Sequence, residues 1–214
     1  MSIPANQKIY HITHINNLAS ILKEGYLLPD SAMTHRQGVT TIGREDIKER
    51  RRKKLLPCNP GTYVGEYVPF NFCPRSVMLY LIHRKDYPSL PYRGGQEQII
   101  HLVADMKEAV RWAEENKKQW AFSLENAALE YVEFRNKLNQ LDEINWEAVR
   151  AEIWKGEFKY PKQAEFLVRE SFPWHLIEQI GTHSQEIKLQ VCNTMSGNNH
   201  CPVVEILEEW YYPG

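Results

Sequence analysis

An α+β fold is expected from this sequence, on three observations. Short strand-like and helix-like runs are interleaved without the regular strand–helix–strand rhythm of a doubly wound sheet. Residues 8–13 and 163–169 alternate apolar and polar, as half-buried strands of antiparallel or mixed sheets do. Neither G-x-G-x-x-G nor a Walker loop is present, so neither usual phosphate-cradling loop can hold a nucleotide. With 214 residues, 43% of them apolar, the chain is long enough for one globular domain over residues 1–214 with helical insertions.

The elements follow in order. Residues 8–13 read as a strand. Residues 14–25 read as a helix with Ile15, Leu18, Ile21 and Leu22 on one face, and Gly25 suits its left-handed end. Tyr26 to Pro29 closes that unit, and residues 30–43 are polar and turn-rich. Residues 46–55 form a short basic helix. Residues 57–65 are a loop broken by Pro57, Pro60, Gly61 and Gly65. Residues 66–74 are a strand in which Pro69 and Pro74 disfavour an interior, fully paired position. Residues 76–83 are helical with Met78, Leu79 and Ile82 inward, and residues 88–95 are a loop.

Residues 98–104 give the clearest strand, a near-continuous apolar run. Residues 105–113 are helical, and a mixed segment begins at Ala121 and Phe122. Residues 124–141 read as a helix with Leu129, Val132 and Leu138 as its stripe. Asp142 to Trp146 turns into another helix with Asn145 as N-cap. After the 163–169 strand come a short helix at 173–178, a strand near Ile180, a helix at 185–192 and a late strand within 203–212.

Charge is balanced overall, at −1, but unevenly placed. Positions 50 to 54 are all basic, whereas residues 108–170 are rich in acids. A locally basic surface on a near-neutral chain suits a polyanion met at one place. The same residues would also offset the macrodipole at a helix end. The four cysteines show neither C-x-x-C nor paired zinc spacing, and His11 and His14 have no further ligand cluster, so no metal is expected. Cys192 and Cys201 could bridge. No signal peptide and no long apolar run is evident, which predicts a reduced cytoplasmic protein with no membrane association.

Glu165 is the strongest single pointer to function. Alternation sets Gln163, Glu165 and Leu167 on one strand face and Ala164, Phe166 and Val168 on the other. An unpaired charge within an apolar strand is costly to bury. It is tolerated at an edge facing water, or in a polar cleft where it accepts a hydrogen bond from a substrate hydroxyl or acts as a base. Two further segments bear on the choice. The run from Tyr10 to Leu18 joins a strand to a helix, where backbone donors and the side chains of His11 and Thr13 could hold a ribose and an amide. A His there could equally be a core residue satisfied by a carbonyl. The block from Tyr67 to Tyr80 is dense in aromatics. Core packing explains Phe70 and Phe72, but explains Ser76, Met78 and Tyr80 less well.

These segments together resemble the DarT family of DNA ADP-ribosyltransferase toxins from bacterial toxin–antitoxin systems. The resemblance rests on Y-H-I-T-H-I-x-N-L, Y-V-P-F-x-F-x-P-x-S-x-M-L-Y, G-G-Q-E-x-I-x-H-L-V (from Gly94 to Val103), the turn from Leu141 to Trp146, and Q-A-E-F-L-V. They stand in family order and span nearly the whole chain. The resemblance implies an ADP-ribosyltransferase fold, with two small mixed or antiparallel sheets around an NAD cleft. It implies transfer of ADP-ribose from NAD, the co-substrate, to a base in single-stranded DNA. In the branch most similar to this chain that base is thymine, modified on a ring nitrogen, which blocks replication. A macrodomain antitoxin partner removes the lesion.

By the same resemblance Glu165 and Arg50 are the catalytic pair, with Arg51 left open as the alternative arginine. His11, Ile12, Thr13, Ser20, Leu28 and Arg50 are the NAD-contacting residues. The basic run supplies Arg51, Arg52, Lys53 and Lys54 to the DNA, with Trp112, Trp120, Tyr92 and Tyr131 as candidate stacking platforms. One departure is notable. After the segment matching Ala121-Phe122 the family carries an aspartate and then a His-Ala pair, whereas this chain reads Ser123-Leu124-Glu125-Asn126-Ala127. Two other readings remain at this stage: transfer to RNA or protein, and a non-catalytic module that binds single strands through the basic helix.

Overall fold

The computed structural model describes residues 4, 6–34, 36–85 and 89–213. Ten strands form one eight-stranded sheet and a two-stranded ribbon among these residues. The strands are β1 (Lys8–His14), β2 (Tyr26–Leu27), β3 (Tyr67–Asn71), β4 (Ile99–Asp105), β5 (Trp120–Ser123), β6 (Phe134–Arg135), β7 (Glu165–Arg169), β8 (Phe172–Pro173), β9 (Gln179–Thr182) and β10 (Val203–Ile206). The large sheet runs β10-β9-β4-β1-β3-β7-β5-β6, and β2 pairs with β8. All neighbours are antiparallel except β9 and β10. The helices are α1 (Leu18–Glu24), α2 (Asp30–Met33), α3 (Glu45–Lys53), α4 (Val77–Arg84), α5 (Met106–Glu115), α6 (Trp146–Arg150) and α7 (Gln185–Met195). The α+β expectation is met.

The two expected sheets are the halves of this one. β1 pairs with β4 along its whole length but touches β3 at a single register position, Tyr10 opposite Asn71. The sheet is therefore splayed between β1 and β3, and the cleft opens there. Pro69 explains the splay. Within a strand the N–H and C=O of one residue point to the same side. The Pro69 carbonyl accepts from the His11 ring at 2.8 Å, so its donor-less nitrogen also faces β1. The ladder to β7 loses nothing and runs in register from Tyr67–Arg169 to Asn71–Glu165. β3 is thus interior despite its proline, paired fully on one side only.

Most local expectations hold. His14 caps a 3-10 turn that leads into α1: its Nδ1 accepts from the Asn16 N–H at 3.1 Å. Gly25 then takes φ 76° as expected. Ser76 is the N-cap of α4, accepting from the Leu79 N–H at 3.1 Å, which accounts for the serine in the aromatic block. Asn145 caps α6 through the Ala148 N–H at 3.0 Å. The expected 88–95 loop is irregular over its described residues; Pro88 lies outside them. All four cysteines are free, so Cys192 and Cys201 do not bridge.

The helix expected over 124–141 does not form. The segment instead turns, adds β6 and ends in a 3-10 helix, Leu138–Glu143. Local side chains capture the backbone groups that a helix needs. The Ser123 hydroxyl donates to the Glu125 carbonyl at 2.6 Å, and the Asn126 side chain accepts from the Ala128 N–H at 2.9 Å. The Leu124 N–H reaches across to the Glu133 carbonyl.

The main core packs both halves of the sheet against α1, α5, α6 and α7, with Phe70, Phe122, Phe166, Phe172 and Trp146 fully or almost fully buried. His101, on the interior strand β4, is completely buried, and its ring Nε2 donates to the Pro74 carbonyl at 3.1 Å. A carbonyl can only accept, so Nε2 carries the proton. Burial pushes its pKa from 6.5 down to about 4. The unfolded chain therefore binds a proton that the folded chain refuses. Stability is full above pH 6.5 and is lost as pH falls from there toward 4, by about 3 kcal/mol from this residue. Urea titrations at pH 7 and pH 4 should show that loss, and His101→Gln should reduce it.

Candidate active site

A cavity of about 670 Å³ occupies the splay, lined by His11, Ile12, Thr13 and Asn17 on one side and by Asn71, Asn126, Gln163 and Glu165 on the other. Its size is that of a small-molecule or cofactor site. The α3 residues Lys48, Arg51 and Arg52 close a third side, and Val77, Met78 and Leu81 of α4 a fourth.

Glu165 opens β7 and is only 9% exposed. It stands opposite Asn71 in register, so both side chains share the face toward the cavity. Arg51 Nη1 donates to both carboxylate oxygens, at 3.0 Å to Oε1 and 2.7 Å to Oε2. The Ala127 N–H adds a bond to Oε1 at 3.2 Å. The backbone is fixed as well, the Glu165 N–H donating to the Ser123 hydroxyl at 3.0 Å. A charged pair buried this deeply survives because each charge neutralises the other. The count of bonds has a chemical consequence. Oε1 holds two donors, whereas Oε2 holds one and keeps an acceptor position. Arg51 Nη2 is buried without a partner among the described residues.

The basic run divides by helical phase, at about 100° per residue. Arg51 turns inward to Glu165. Arg52 reaches Asp30 at 2.9 Å and Glu45 at 2.8 Å, and Lys48, one turn earlier, joins Asp30 at 2.7 Å. Asp30 thus clasps α3 and fixes its rotation. The seat is tight: a Cβ at Gly65 would lie 2.9 Å from the Arg52 Cα, so only glycine allows this approach. Arg50 turns outward; it is 61% exposed and meets Asp46 at 3.4 Å. The arginine at Glu165 is therefore Arg51, the alternative the sequence left open, whereas Arg50 does not line the cavity. Lys53 is exposed, and Lys54 donates to the Glu130 carbonyl. The last turn also complements the macrodipole, with Glu45 and Asp46 in the first turn.

His11, Ile12, Thr13 and Leu28 line the cavity, but Ser20 does not. Ser20 is exposed and its hydroxyl donates to the Asn17 carbonyl, one turn back along α1. The His11 contact with the Pro69 carbonyl places the proton on Nδ1 and leaves Nε2 an acceptor. Burial lowers its pKa, only partly opposed by the Pro69 hydrogen bond, so the ring is neutral at pH 7. Asn17 holds the 36–43 segment over the cleft through both backbone groups of Thr40, at 2.8 and 2.9 Å. Asn17 and Met78 stood inside segments singled out in the sequence, whereas Asp30, Thr40 and Lys48 carried no sequence signal.

Of the four aromatic platforms, three are packing residues. Trp120 is 6% exposed and stacks on Phe166. Trp112 packs against Phe172, and Tyr92 against His14. Tyr131 is 88% exposed. No group of three potential metal ligands is gathered among the described residues, and none of their helices is long and apolar enough to cross a membrane.

Residues 10–212 match the family model described as DarT, ssDNA thymidine ADP-ribosyltransferase. This chain belongs to the DarT family. It is 38% identical to the DNA ADP-ribosyl transferase of Thermus aquaticus, over 99% of this chain and 92% of that protein. It superposes on the DarT of Thermus sp. 2.9 solved with ADP-ribosylated ssDNA with a TM-score of 0.90, at 36% identity, covering 99% of each chain. The same Thermus protein solved with NAD+ gives 0.85 at 36% identity, covering 99% of this chain and all of that one. As a DarT, the chain is an NAD-dependent ADP-ribosyltransferase of single-stranded DNA.

Proposed function

We propose that Glu165 and Arg51 together carry the transfer of ADP-ribose from NAD to a thymine ring nitrogen in single-stranded DNA. The observation that carries this reading is the buried Arg51–Glu165 pair in a cavity shared with His11. When the glycosidic bond breaks, its electron pair leaves on the nicotinamide nitrogen and positive charge grows on the ribose carbon. The free acceptor position of Glu165 Oε2 takes a ribose hydroxyl, and the carboxylate stabilises that charge more as it grows. The thymine nitrogen attacks the same carbon, forming the new N–C bond, and its proton passes to solvent water. Arg51 is a poor base, because its guanidinium stays protonated. Its unpartnered Nη2 instead offers a cationic donor to the base as that proton leaves.

His11, Ile12 and Thr13 hold the nicotinamide end, and the cations of Lys48 and Arg52, which line the same cavity, face the phosphates. Residues 1–214 act as one catalytic domain. The Thermosipho africanus DarTG solved with ADP-ribose shares the fold at a TM-score of 0.71. Membership of the DarT family supports a toxin role, and with it a cytoplasmic site of action and an opposing macrodomain antitoxin. Labelled NAD offered with single-stranded DNA, tRNA and protein in parallel tests the reading. Label is expected on the DNA alone, and label on RNA or protein alone would overturn it.

A further inference from the structure

We propose that Tyr131 and Tyr160 are two stacking platforms outside the mouth of the cleft, for nucleotides of the strand beyond those adjacent to the target thymine. The inference rests on the DNA substrate of the preceding section. The two rings sit on different loops, and both loops end on hydrogen bonds at Glu165 or beside it. Tyr131 follows Ala127, whose N–H binds the Glu165 carboxylate, and Lys54 pins the neighbouring Glu130 carbonyl. Tyr160 precedes Gln163, whose N–H donates to the Tyr160 carbonyl at 3.0 Å. The loops are tied to each other at the cavity, where Asn126 donates to the Gln163 side chain at 2.8 Å.

Neither ring contributes to the core: Tyr131 is 88% exposed and Tyr160 45%. The Tyr160 loop is held firmly from beneath. The buried Lys162 donates to the carbonyls of Val149 and Ala151 at 2.7 and 2.8 Å, capping the end of α6. Each ring also has a cation beside it. Lys159 Nζ lies 5.4 Å from the Tyr160 centroid, and Lys54 donates to the carbonyl of Glu130, the residue before Tyr131. Exposed aromatic faces on rigid supports, with cations near, are what a single strand stacks on.

The test compares KM for a long single strand carrying a central thymidine with KM for a thymidine trinucleotide too short to reach the rings. Tyr131→Ala and Tyr160→Ala are each expected to raise KM for the long strand about tenfold. KM for the trinucleotide should stay within about twofold, and the Phe variants should match wild type, since stacking needs the ring and not the hydroxyl. Unchanged KM for the long strand, with wild type still modifying DNA, would overturn the proposal and leave the rings to a protein partner. Equal losses on both lengths would also overturn it. Failure of wild type to modify either DNA would instead remove the substrate reading beneath it.

Discussion

Replacing Glu165 with Gln is expected to lower the rate of DNA modification by a factor of at least about 100 to 1,000, the range for removing one preorganised electrostatic group. The substitution is nearly isosteric. The amide oxygen can keep the bond from the Ala127 N–H, and the backbone bond to Ser123 is untouched. What goes is the negative charge that the developing ribose cation meets. The same charge neutralises Arg51, and the two side chains are only 12% and 11% exposed. Removing one member of such a pair leaves the other uncompensated, so stability should fall by about 3 kcal/mol, at the low end for a buried pair because neither group is wholly enclosed. Thermal unfolding measured beside the rate separates the two effects. A chain that remains folded at assay temperature and does not turn over is the expected result.

Two neighbouring arginines on α3 should behave in opposite ways. Arg51→Ala removes the guanidinium that bonds both oxygens of Glu165, and a loss of about 100-fold or more is expected. Arg51→Lys keeps the charge but not the planar donor set that reaches both oxygens and still presents Nη2, so it should recover little. Arg50→Ala removes an exposed side chain whose ion pair is of the kind worth less than about 1 kcal/mol, and activity should stay within about twofold. Steady-state rates of the three variants on one oligonucleotide decide between the positions. Parity between Arg50→Ala and Arg51→Ala would remove the geometric assignment.

That contrast shows where the sequence was legible and where it stopped. The Q-A-E run was readable as a strand whose alternation faces Glu165 into polar surroundings, and the strand–helix junction at His11 to Asn17 was readable from its apolar spacing and Gly25. Both survive because local pattern and tertiary packing agree there. The arginine was misplaced because a run of five basic residues has no apolar mark to set its phase. Gly65 and Asp30, far along the chain, determine which one faces inward. The missing helix at 124–141 has a similar cause. Its leucines and valine met a helical spacing, but Ser123 and Asn126 captured the backbone locally and Ala127 was claimed by Glu165. Pro69 was read as disfavouring an interior, fully paired strand, and β3 is interior but fully paired on one side only. That Pro69 opens the cleft between β1 and β3 depends on a His11 contact no pattern reveals.

We place the centre of transfer at the Arg51–Glu165 pair. The most direct test is the mass of a thymidine-containing single strand after incubation with NAD and either wild type or folded Glu165→Gln. One added ADP-ribose per strand with wild type and none with the variant is the predicted result. The same addition, at a comparable rate, from Glu165→Gln would contradict it.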